Sequence, residues 1–308
     1  MAYKGTTTGK VTSTVIDWKL KEQFCDIGRR IWQRGFCAGN EGNHSFRLGP
    51  DRVLCTPTGI SKGNLKPDDL CVVDMTGKQV SGKRKRTSEI LMHLAIYKIR
   101  DDVKAVIHSH PPHATAFAVA GVDLPTCIHP EAEVFLGPVH TAKYVTPGDT
   151  RLGESIAPYV KDSNTVLMGN HGVVCYGHDL ENAYYKLEIV DAYSRILILA
   201  KQVGSIQTLT GPEMKELVAL KARFGMSDPR TNPDGSVKDF TCAADFLSRV
   251  GGDVATRGRM ASAGGGTCGV PQASGLQRAI SALAPENIND NELEQLVQTI
   301  TDQIMATA

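Results

Sequence analysis

A glycine-rich run in the last quarter of the chain limits what this sequence can fold into. Residues 251–275 carry 8 of the 30 glycines of the 308-residue chain. They offer few large apolar side chains to bury, a composition typical of a flexible linker. The residues before the run must therefore form the main folded unit. We predict a main domain at 1–225, an extension and linker at 226–275, and a tail at 276–308.

The tail contains a second strong pattern. Its apolar residues recur at helical spacing and form one face, made of Leu293, Leu296, Val297, Ile300 and Ile304. Asn289 with Glu292 three residues later has the form of a capping box. We therefore predict an amphipathic helix over 289–305.

Composition excludes several classes of protein. The formal charge is only +1, from 34 basic and 33 acidic residues, so neither nucleic acid nor an anionic membrane is expected as a partner. No apolar run approaches the ~20 residues that span a bilayer. The first ten residues lack the apolar segment of a secretory signal. The eight scattered cysteines form no CxxC pair, which favours free thiols in a reducing compartment. We expect a cytoplasmic protein.

Helical and strand-like patterns interleave through the first part of the chain. One helix is predicted to start near Ile16, and three others cover 88–99, 113–120 and 180–202, the last of which is the final long helix of this part of the chain. The predicted strands cover 52–55, 71–74, 103–107, 165–168 and 173–176. Turn-linked strand pairs argue for antiparallel pairing. We predict an α/β fold with a mixed, largely antiparallel central sheet flanked by helices.

His108 and His110 form the first chemical motif. Residues i and i+2 of a strand point to the same side, so both imidazoles can reach one point, as a Zn²⁺ site requires. His171, in the turn Gly169-Asn170-His171-Gly172, is the candidate third ligand. Three histidines would leave a coordination position open for substrate oxygens. The alternatives are polar residues at a strand end and a solvent-exposed turn histidine.

Thr87-Ser88-Glu89 form a second motif, at the start of a predicted helix. Hydroxyls and free backbone N–H groups at a helix N-terminus favour an anion such as phosphate. Simple helix capping is the alternative explanation. Two polar glycine turns, residues 41–45 and 56–60, would serve the same anion.

The ordered set of motifs resembles the class II aldolase/adducin family. The motifs are Gly42-Asn43 followed by Ser45, Thr56-Pro57-Thr58-Gly59, Thr87-Ser88-Glu89, His108-x-His110 and His171-Gly172. The resemblance covers residues 16–202 and implies a three-layer αβα domain. It implies one Zn²⁺ per subunit on His108, His110 and His171. A phosphate pocket would include Asn43, Thr58, Gly59, Thr87 and Ser88, and Glu89 would be the acid/base. It also implies a homotetramer with sites at subunit interfaces.

One motif departs from the family pattern. The fuculose-phosphate enzyme of the family contributes a tyrosine from a neighbouring subunit just after an Ile-His pair, whereas Pro130 follows Ile128-His129 here. The acid that protonates the aldehyde oxygen is therefore unassigned. Nearby candidates are His129, Glu131, Glu133, His140 and Tyr144, for which buried structural roles are an equal alternative.

The chemistry of a retro-aldol cleavage fits these residues. The enediolate that it leaves needs a Lewis acid, and a base must move protons. Glu rather than Asp at position 89 resembles the aldolases, so we expect cleavage of fuculose or rhamnulose 1-phosphate. The alternatives are a ribulose-phosphate 4-epimerase, a methylthioribulose-phosphate dehydratase and a non-catalytic adducin-head-like module.

The predicted tail helix resembles an encapsulation peptide of bacterial microcompartment enzymes. It carries Asp290, Glu292, Glu294 and Asp302 but no Lys or Arg, which favours a protein groove over an anionic lipid surface. The resemblance implies a shell-protein partner for 289–305 and localisation inside such a compartment. Packing of the tail on its own oligomer is the alternative.

Overall fold

A computed structural model of the chain describes residues 16–226, 228, 230–232, 234 and 236–238. The helices are α1 Trp18–Gln33, α2 Ile90–Ile99, α3 Pro112–Ala120, α4 Arg151–Val160, α5 Leu180–Val203 and α6 Gly211–Arg223. The strands are β1 Asn43–Arg47, β2 Arg52–Cys55, β3 Cys71–Asp74, β4 Gln79–Ser81, β5 Ala105–Ser109, β6 His140–Ala142, β7 Thr165–Met168 and β8 Gly172–Gly177. Short 3₁₀ turns lie at Lys62–Asn64 and Pro67–Asp69, and a π-helical turn at Ala132–Leu136.

The eight strands form one sheet in the order β4-β3-β2-β1-β5-β8-β7-β6. All neighbours pair antiparallel except β6 and β7, which run parallel. The predicted mixed, largely antiparallel sheet is thus confirmed. Strands β1, β5 and β8 lie at its centre, with Asn43 opposite His108 and His108 opposite Val174.

Two apolar cores cover the two faces of this sheet. Alternate residues of one strand point to opposite faces, and in β8 Val173 joins one core while Val174 joins the other. Helices α1, α3 and α5 contribute to the first core, and α2 and α4 to the second. The arrangement is the three-layer αβα architecture that the family resemblance implies.

The structure corrects several boundaries. Residues 43–45, interpreted as part of a glycine turn, belong to strand β1 and are buried. Helix α2 begins at Ile90 rather than Ser88. A further helix, α6, follows the one predicted to be the last long helix. Its N-terminus has a full capping box between Thr210 and Glu213, a signal that the sequence already contained.

The cysteine prediction holds only in part. Five cysteines are buried free thiols, namely Cys25, Cys37, Cys55, Cys71 and Cys175. Cys127 is disulfide-bonded, so the expectation of free thiols is wrong there. The absence of a CxxC pair does not exclude a bond between cysteines that only the fold brings together.

The predicted linker and tail helix fall outside the described residues, apart from a few positions up to 238. Two of those positions, Asp228 and Arg230, are buried. Arg230 lies 2.5 Å from the carboxylate of Glu133. Among the described residues, none of the helices combines the length and the apolar composition needed to cross a bilayer.

Candidate functional site

Three predicted histidines lie together at one end of the central strands. His108 is in β5, His110 follows it by two residues, and His171 lies in the turn that joins β7 to β8. Their ring centroids are between 4.7 and 5.1 Å apart. The turn is tight, since Asn170 has a positive φ of 53°. One potential ligand atom from each histidine lies within 4.8 Å of the others.

The Nε2 atoms of these histidines face a common point. Nδ1 of His108 lies 2.9 Å from the backbone oxygen of Val173, and Nδ1 of His110 lies 2.8 Å from Glu41 Oε2. Both rings therefore direct Nε2 inward, where the two Nε2 atoms are 3.2 Å apart. Such imidazole lone pairs suit a divalent metal ion.

Glu89 brings a carboxylate to the same point. It is the N-cap residue of α2 and is only 7% exposed. Its Oε2 lies 3.4 Å from His108 Nε2 and its Oε1 lies 3.4 Å from His171 Nε2. Oε2 accepts a hydrogen bond of 2.7 Å from Asn43 Nδ2. Oε1 is buried and has no hydrogen-bond partner among the described residues.

The electrostatics of this cluster fit a metal ion. Burial is the main cause that lowers the pKa of His108 to about 4, and burial also lowers the pKa of His171. Both imidazoles are therefore neutral at pH 7 and can donate a lone pair. Burial alone would raise the pKa of Glu89, but His108 and the Asn43 hydrogen bond hold it below its ordinary value. Three imidazole nitrogens are a donor set that can hold a divalent metal ion and leave a coordination position open.

Asn43, which donates a hydrogen bond to Glu89, belongs to a buried chain of hydrogen-bonded polar side chains. Asn43 Oδ1 lies 2.6 Å from His93 Nε2, and His93 Nδ1 lies 2.7 Å from Ser45 Oγ. Ser45 Oγ is 2.9 Å from the hydroxyl of Tyr97. A carboxylate only accepts hydrogen bonds, so the Asn43 amide must turn Nδ2 to Glu89 and Oδ1 to His93. His93 then donates from Nε2, which fixes its tautomer.

The turns predicted to bind phosphate are neighbours in the fold. Thr58 N donates to Lys85 O at 3.0 Å, and Thr87 N donates to Thr56 O at 3.1 Å. Strand β1 joins them, because His44 N donates to Thr56 Oγ1. Thr58, Gly59 and Ser88 are exposed, whereas Thr87 is buried. The turn at 56–59 and the start of α2 thus share a surface with the strand that carries Asn43.

Three candidates for the missing acid have structural contacts. Glu133 is buried and pairs with Arg230. The ring of His140 stacks on that of Tyr159 at 5.1 Å between centroids. His129 stacks on Tyr193 at 5.7 Å.

Sequence reasoning missed two polar residues at this site, Glu41 and His93. His93 follows Glu89 by four residues at the start of α2, a spacing that places both on one face, so the signal was present. Glu41 lies in a turn, and nothing in its sequence neighbourhood indicates the contact with His110.

The chain is similar in sequence to several known proteins. Residues 22–198 match the family model described as Class II Aldolase and Adducin N-terminal domain. An L-fuculose phosphate aldolase of Methanocaldococcus jannaschii is 35% identical over 179 residues, 58% of this chain and 96% of that protein. A 3-oxo-tetronate 4-phosphate decarboxylase of Haemophilus influenzae is 34% identical over 205 residues, 65% of this chain and 97% of that protein.

Solved structures give the same result. An L-fuculose 1-phosphate aldolase superposes with a TM-score of 0.63 at 31% identity, covering 68% of this chain and 98% of that one. The family model covers more than half of the 308 residues. The chain therefore belongs to the class II aldolase and adducin N-terminal domain family.

Proposed function

We propose that this chain is a Zn²⁺-dependent aldolase. It cleaves a deoxy-ketohexose 1-phosphate, L-fuculose 1-phosphate or L-rhamnulose 1-phosphate, to dihydroxyacetone phosphate and lactaldehyde. The observation that carries the proposal is the convergence of three imidazole nitrogens and the Glu89 carboxylate on one point. A non-catalytic module has no need of such a cluster.

The reaction is a retro-aldol cleavage. The C4 hydroxyl loses its proton, the C3–C4 bond breaks, and C4 becomes the carbonyl carbon of lactaldehyde. The electron pair of the broken bond remains on the dihydroxyacetone phosphate part as an enediolate. A proton then adds at C3 and completes the second product.

The residues divide this work. His108, His110 and His171 would hold Zn²⁺, which when bound supplies Lewis-acid stabilisation of negative charge on substrate oxygens. Glu89 moves the proton at C3, taking it in the condensation direction and returning it in cleavage. Asn43 holds the Glu89 carboxylate at 2.7 Å. Because Pro130 stands where the fuculose-phosphate enzyme of the family has a tyrosine, a different residue takes the proton of the C4 hydroxyl.

The phosphate would bind at the turns beside this cluster. Thr58, Gly59 and Ser88 are exposed there, and Ser88 lies at the start of α2, where free N–H groups and the helix dipole favour an anion. Thr87 contributes by holding the turn, since its Oγ1 accepts a hydrogen bond from Glu89 N at 3.3 Å. Asn43 would contribute the second hydrogen of its Nδ2 to the bound substrate.

A decarboxylase is the second candidate, because the Haemophilus influenzae relative is 34% identical to this chain. Loss of CO₂ from a 3-oxo-tetronate 4-phosphate also breaks a carbon–carbon bond beside a carbonyl. It leaves the same enediolate and hence the same three-carbon ketone phosphate. The same metal and acid/base residues serve both reactions. Release of dihydroxyacetone phosphate therefore does not separate the two, and the second product must be measured.

The test is a product analysis on the Zn²⁺-loaded full chain. L-Fuculose 1-phosphate, L-rhamnulose 1-phosphate and 3-oxo-tetronate 4-phosphate are supplied separately, and lactaldehyde and CO₂ are both quantified. The proposal predicts lactaldehyde equimolar with dihydroxyacetone phosphate from one of the sugars. CO₂ without lactaldehyde would establish the decarboxylase instead. No product from any of the three would contradict both and favour an epimerase, a dehydratase or a binding module.

We further propose that the enzyme works as a homotetramer, as the family resemblance implies. Light scattering of the full chain should give a mass near four times 33.2 kDa. A monomer with full activity would contradict this proposal.

We also propose that residues 289–305 target the enzyme to the shell of a bacterial microcompartment. The sequence predicts an amphipathic helix there that carries acidic residues but no Lys or Arg, which favours a protein groove as its binding site. Deletion of 276–308 should leave turnover unchanged and abolish co-purification with shell protein. Unchanged shell association would contradict the targeting role.

A further inference from the structure

The three clustered imidazoles differ in the partner of Nδ1, the ring nitrogen that points away from the cluster. His108 Nδ1 faces a backbone carbonyl, that of Val173, at 2.9 Å. His171 Nδ1 is buried and has no hydrogen-bond partner among the described residues. His110 Nδ1 lies 2.8 Å from a carboxylate, Oε2 of Glu41. Of these three Nδ1 atoms, only that of His110 therefore faces a full negative charge.

The segment that carries Glu41 is fixed in place. Glu41 Oε1 accepts a hydrogen bond of 2.6 Å from Ala38 N, and Glu41 N donates to Ala38 O. The buried ammonium of Lys62 donates to Asn40 O at 2.9 Å. The carboxylate is thus held at both oxygens, one by its own turn and one by His110.

The same segment is joined to the strand end that carries the histidines. His110 N donates to Phe36 O at 2.8 Å, and Ser109 Oγ donates to the same oxygen at 2.6 Å. Gly42 has a φ of 72°, and a Cβ there would lie 3.2 Å from His108 O. This close approach of the two backbones brings Glu41 within reach of His110.

We propose that Glu41 is a positioning residue for the metal centre: it accepts a hydrogen bond from His110 Nδ1 and so directs the Nε2 lone pair of His110 to the ion. The inference rests on the proposed function, since it requires that the three histidines bind a metal. A carboxylate only accepts, so His110 carries its proton on Nδ1 and leaves Nε2 free. Such partners of a ligating histidine fix its tautomer and raise its basicity.

The test measures metal affinity in the full chain. Wild type, Glu41→Ala and Glu41→Gln are titrated with Zn²⁺ in competition with a chromogenic chelator. Removal of a carboxylate that orients a ligating histidine is expected to weaken Zn²⁺ binding about 10- to 100-fold in Glu41→Ala. Zn²⁺ binding should weaken less in Glu41→Gln, because the one amide oxygen of the glutamine can still accept a hydrogen bond from His110 or Ala38.

Glu131→Gln is the matched control. Glu131 is also a carboxylate beside an imidazole, 3.4 Å from His129 Nδ1, but its side chain is 61% exposed and the pair lies outside the cluster. Its Zn²⁺ affinity should equal that of wild type. The Co²⁺-loaded proteins give a second readout. The visible absorption bands of the ion should shift in Glu41→Ala and not in Glu131→Gln.

The outcomes separate this inference from the proposed function. A wild type that binds no stoichiometric Zn²⁺ would overturn both. Tight binding by wild type with Glu41→Ala within twofold of it, or with unaltered Co²⁺ bands, would overturn the inference alone. Weakened Zn²⁺ binding and shifted Co²⁺ bands in Glu41→Ala, with both unchanged in Glu131→Gln, would support it.

Discussion

Two buried clusters of ionisable groups in this protein differ in how their charges are compensated. In the ion-pair cluster, made of Glu133, Lys221, Asp228 and Arg230, each charge meets an opposite one. Arg230 lies 2.5 Å from Glu133 and 2.9 Å from Asp228, and Lys221 lies 3.0 Å from Asp228. In the histidine cluster, made of Glu89, His108, His110 and His171, two imidazoles, those of His108 and His171, flank one carboxylate that keeps a buried oxygen without a hydrogen bond.

Burial of charge does not by itself identify a functional site. Buried charges that pair with one another can be purely structural. Imidazoles whose ring nitrogens converge on one point are instead arranged for something held between them. The ion-pair cluster is thus expected to govern stability and the histidine cluster to govern metal binding and turnover.

The strongest test of this division is Glu89→Gln. Removal of a general acid/base typically lowers the rate 10²- to 10⁴-fold, and we expect kcat to fall in that range. Zn²⁺ content should be retained, because the three histidines remain. Steady-state kinetics with metal analysis check both. Wild-type turnover in this variant would rule out the assigned role of Glu89.

The converse change is made in the ion-pair cluster with Arg230→Met. Loss of one partner leaves the buried carboxylates of Glu133 and Asp228 undercompensated, at a cost of about 3–5 kcal/mol in the free energy of unfolding. Urea unfolding measures the loss, while Zn²⁺ affinity should not change. Arg151→Met is the control. Arg151 also pairs with an aspartate, Asp149, but its side chain is 70% exposed, so the loss of this pair should change the free energy of unfolding little. Equal losses in both variants would contradict the assignment.

A smaller effect is expected when the support of Glu89 is removed. Asn43→Ala deletes a hydrogen bond to a buried carboxylate, an interaction worth about 1.5–3 kcal/mol. We expect kcat to fall about 10- to 100-fold and the apo protein to lose part of its stability. Asn232→Ala, whose amide contacts only Ser236 Oγ among the described side chains, is the control. Equal kinetics in the two variants would show that Glu89 needs no such support.

The smallest expected effect is the acid dependence of the ion-pair cluster. Burial alone would raise the pKa of Asp228, but hydrogen bonds from Arg230 and the charge of Lys221 lower it from 3.8 to about 2. The folded pKa is below the unfolded one, so this stabilisation is present above about pH 4 and is lost as the pH falls to about 2.

Between pH 4 and pH 2, the free energy of unfolding should therefore fall less steeply with pH in Asp228→Asn than in wild type. The difference in slope corresponds to up to about one proton taken up on unfolding. Urea unfolding at several pH values measures this slope. Identical slopes in the variant and wild type would show that Asp228 does not carry the effect.

Much of the fold could be predicted because its strands have apolar patterns. β2, β3, β7 and β8 were each predicted within one residue of their observed ends. Strand β1 was missed because its buried residues Asn43, His44 and Ser45 are polar. Their burial depends on tertiary hydrogen bonds, such as His44 Nε2 to Phe24 O at 2.9 Å. No local pattern indicates contacts of that kind.

The histidine cluster could be predicted for a different reason. His108 and His110 share a strand period, and His171 lies in a marked glycine turn, so motif and geometry agree. Glu41 could not be predicted, because its contact with His110 depends on how the segment around Phe36 packs against the end of β5. Such a contact follows from the pairing of β1 with β5, not from any spacing in the sequence.

Locating the metal ion itself tests most directly whether the three histidines form a metal site. Crystals of the Zn²⁺-loaded full chain, measured on both sides of the zinc absorption edge, would give the position of the ion. We expect one anomalous peak about 2.0–2.1 Å from Nε2 of His108, His110 and His171, beside the carboxylate of Glu89. A zinc peak bound elsewhere, or none between these histidines, would contradict it.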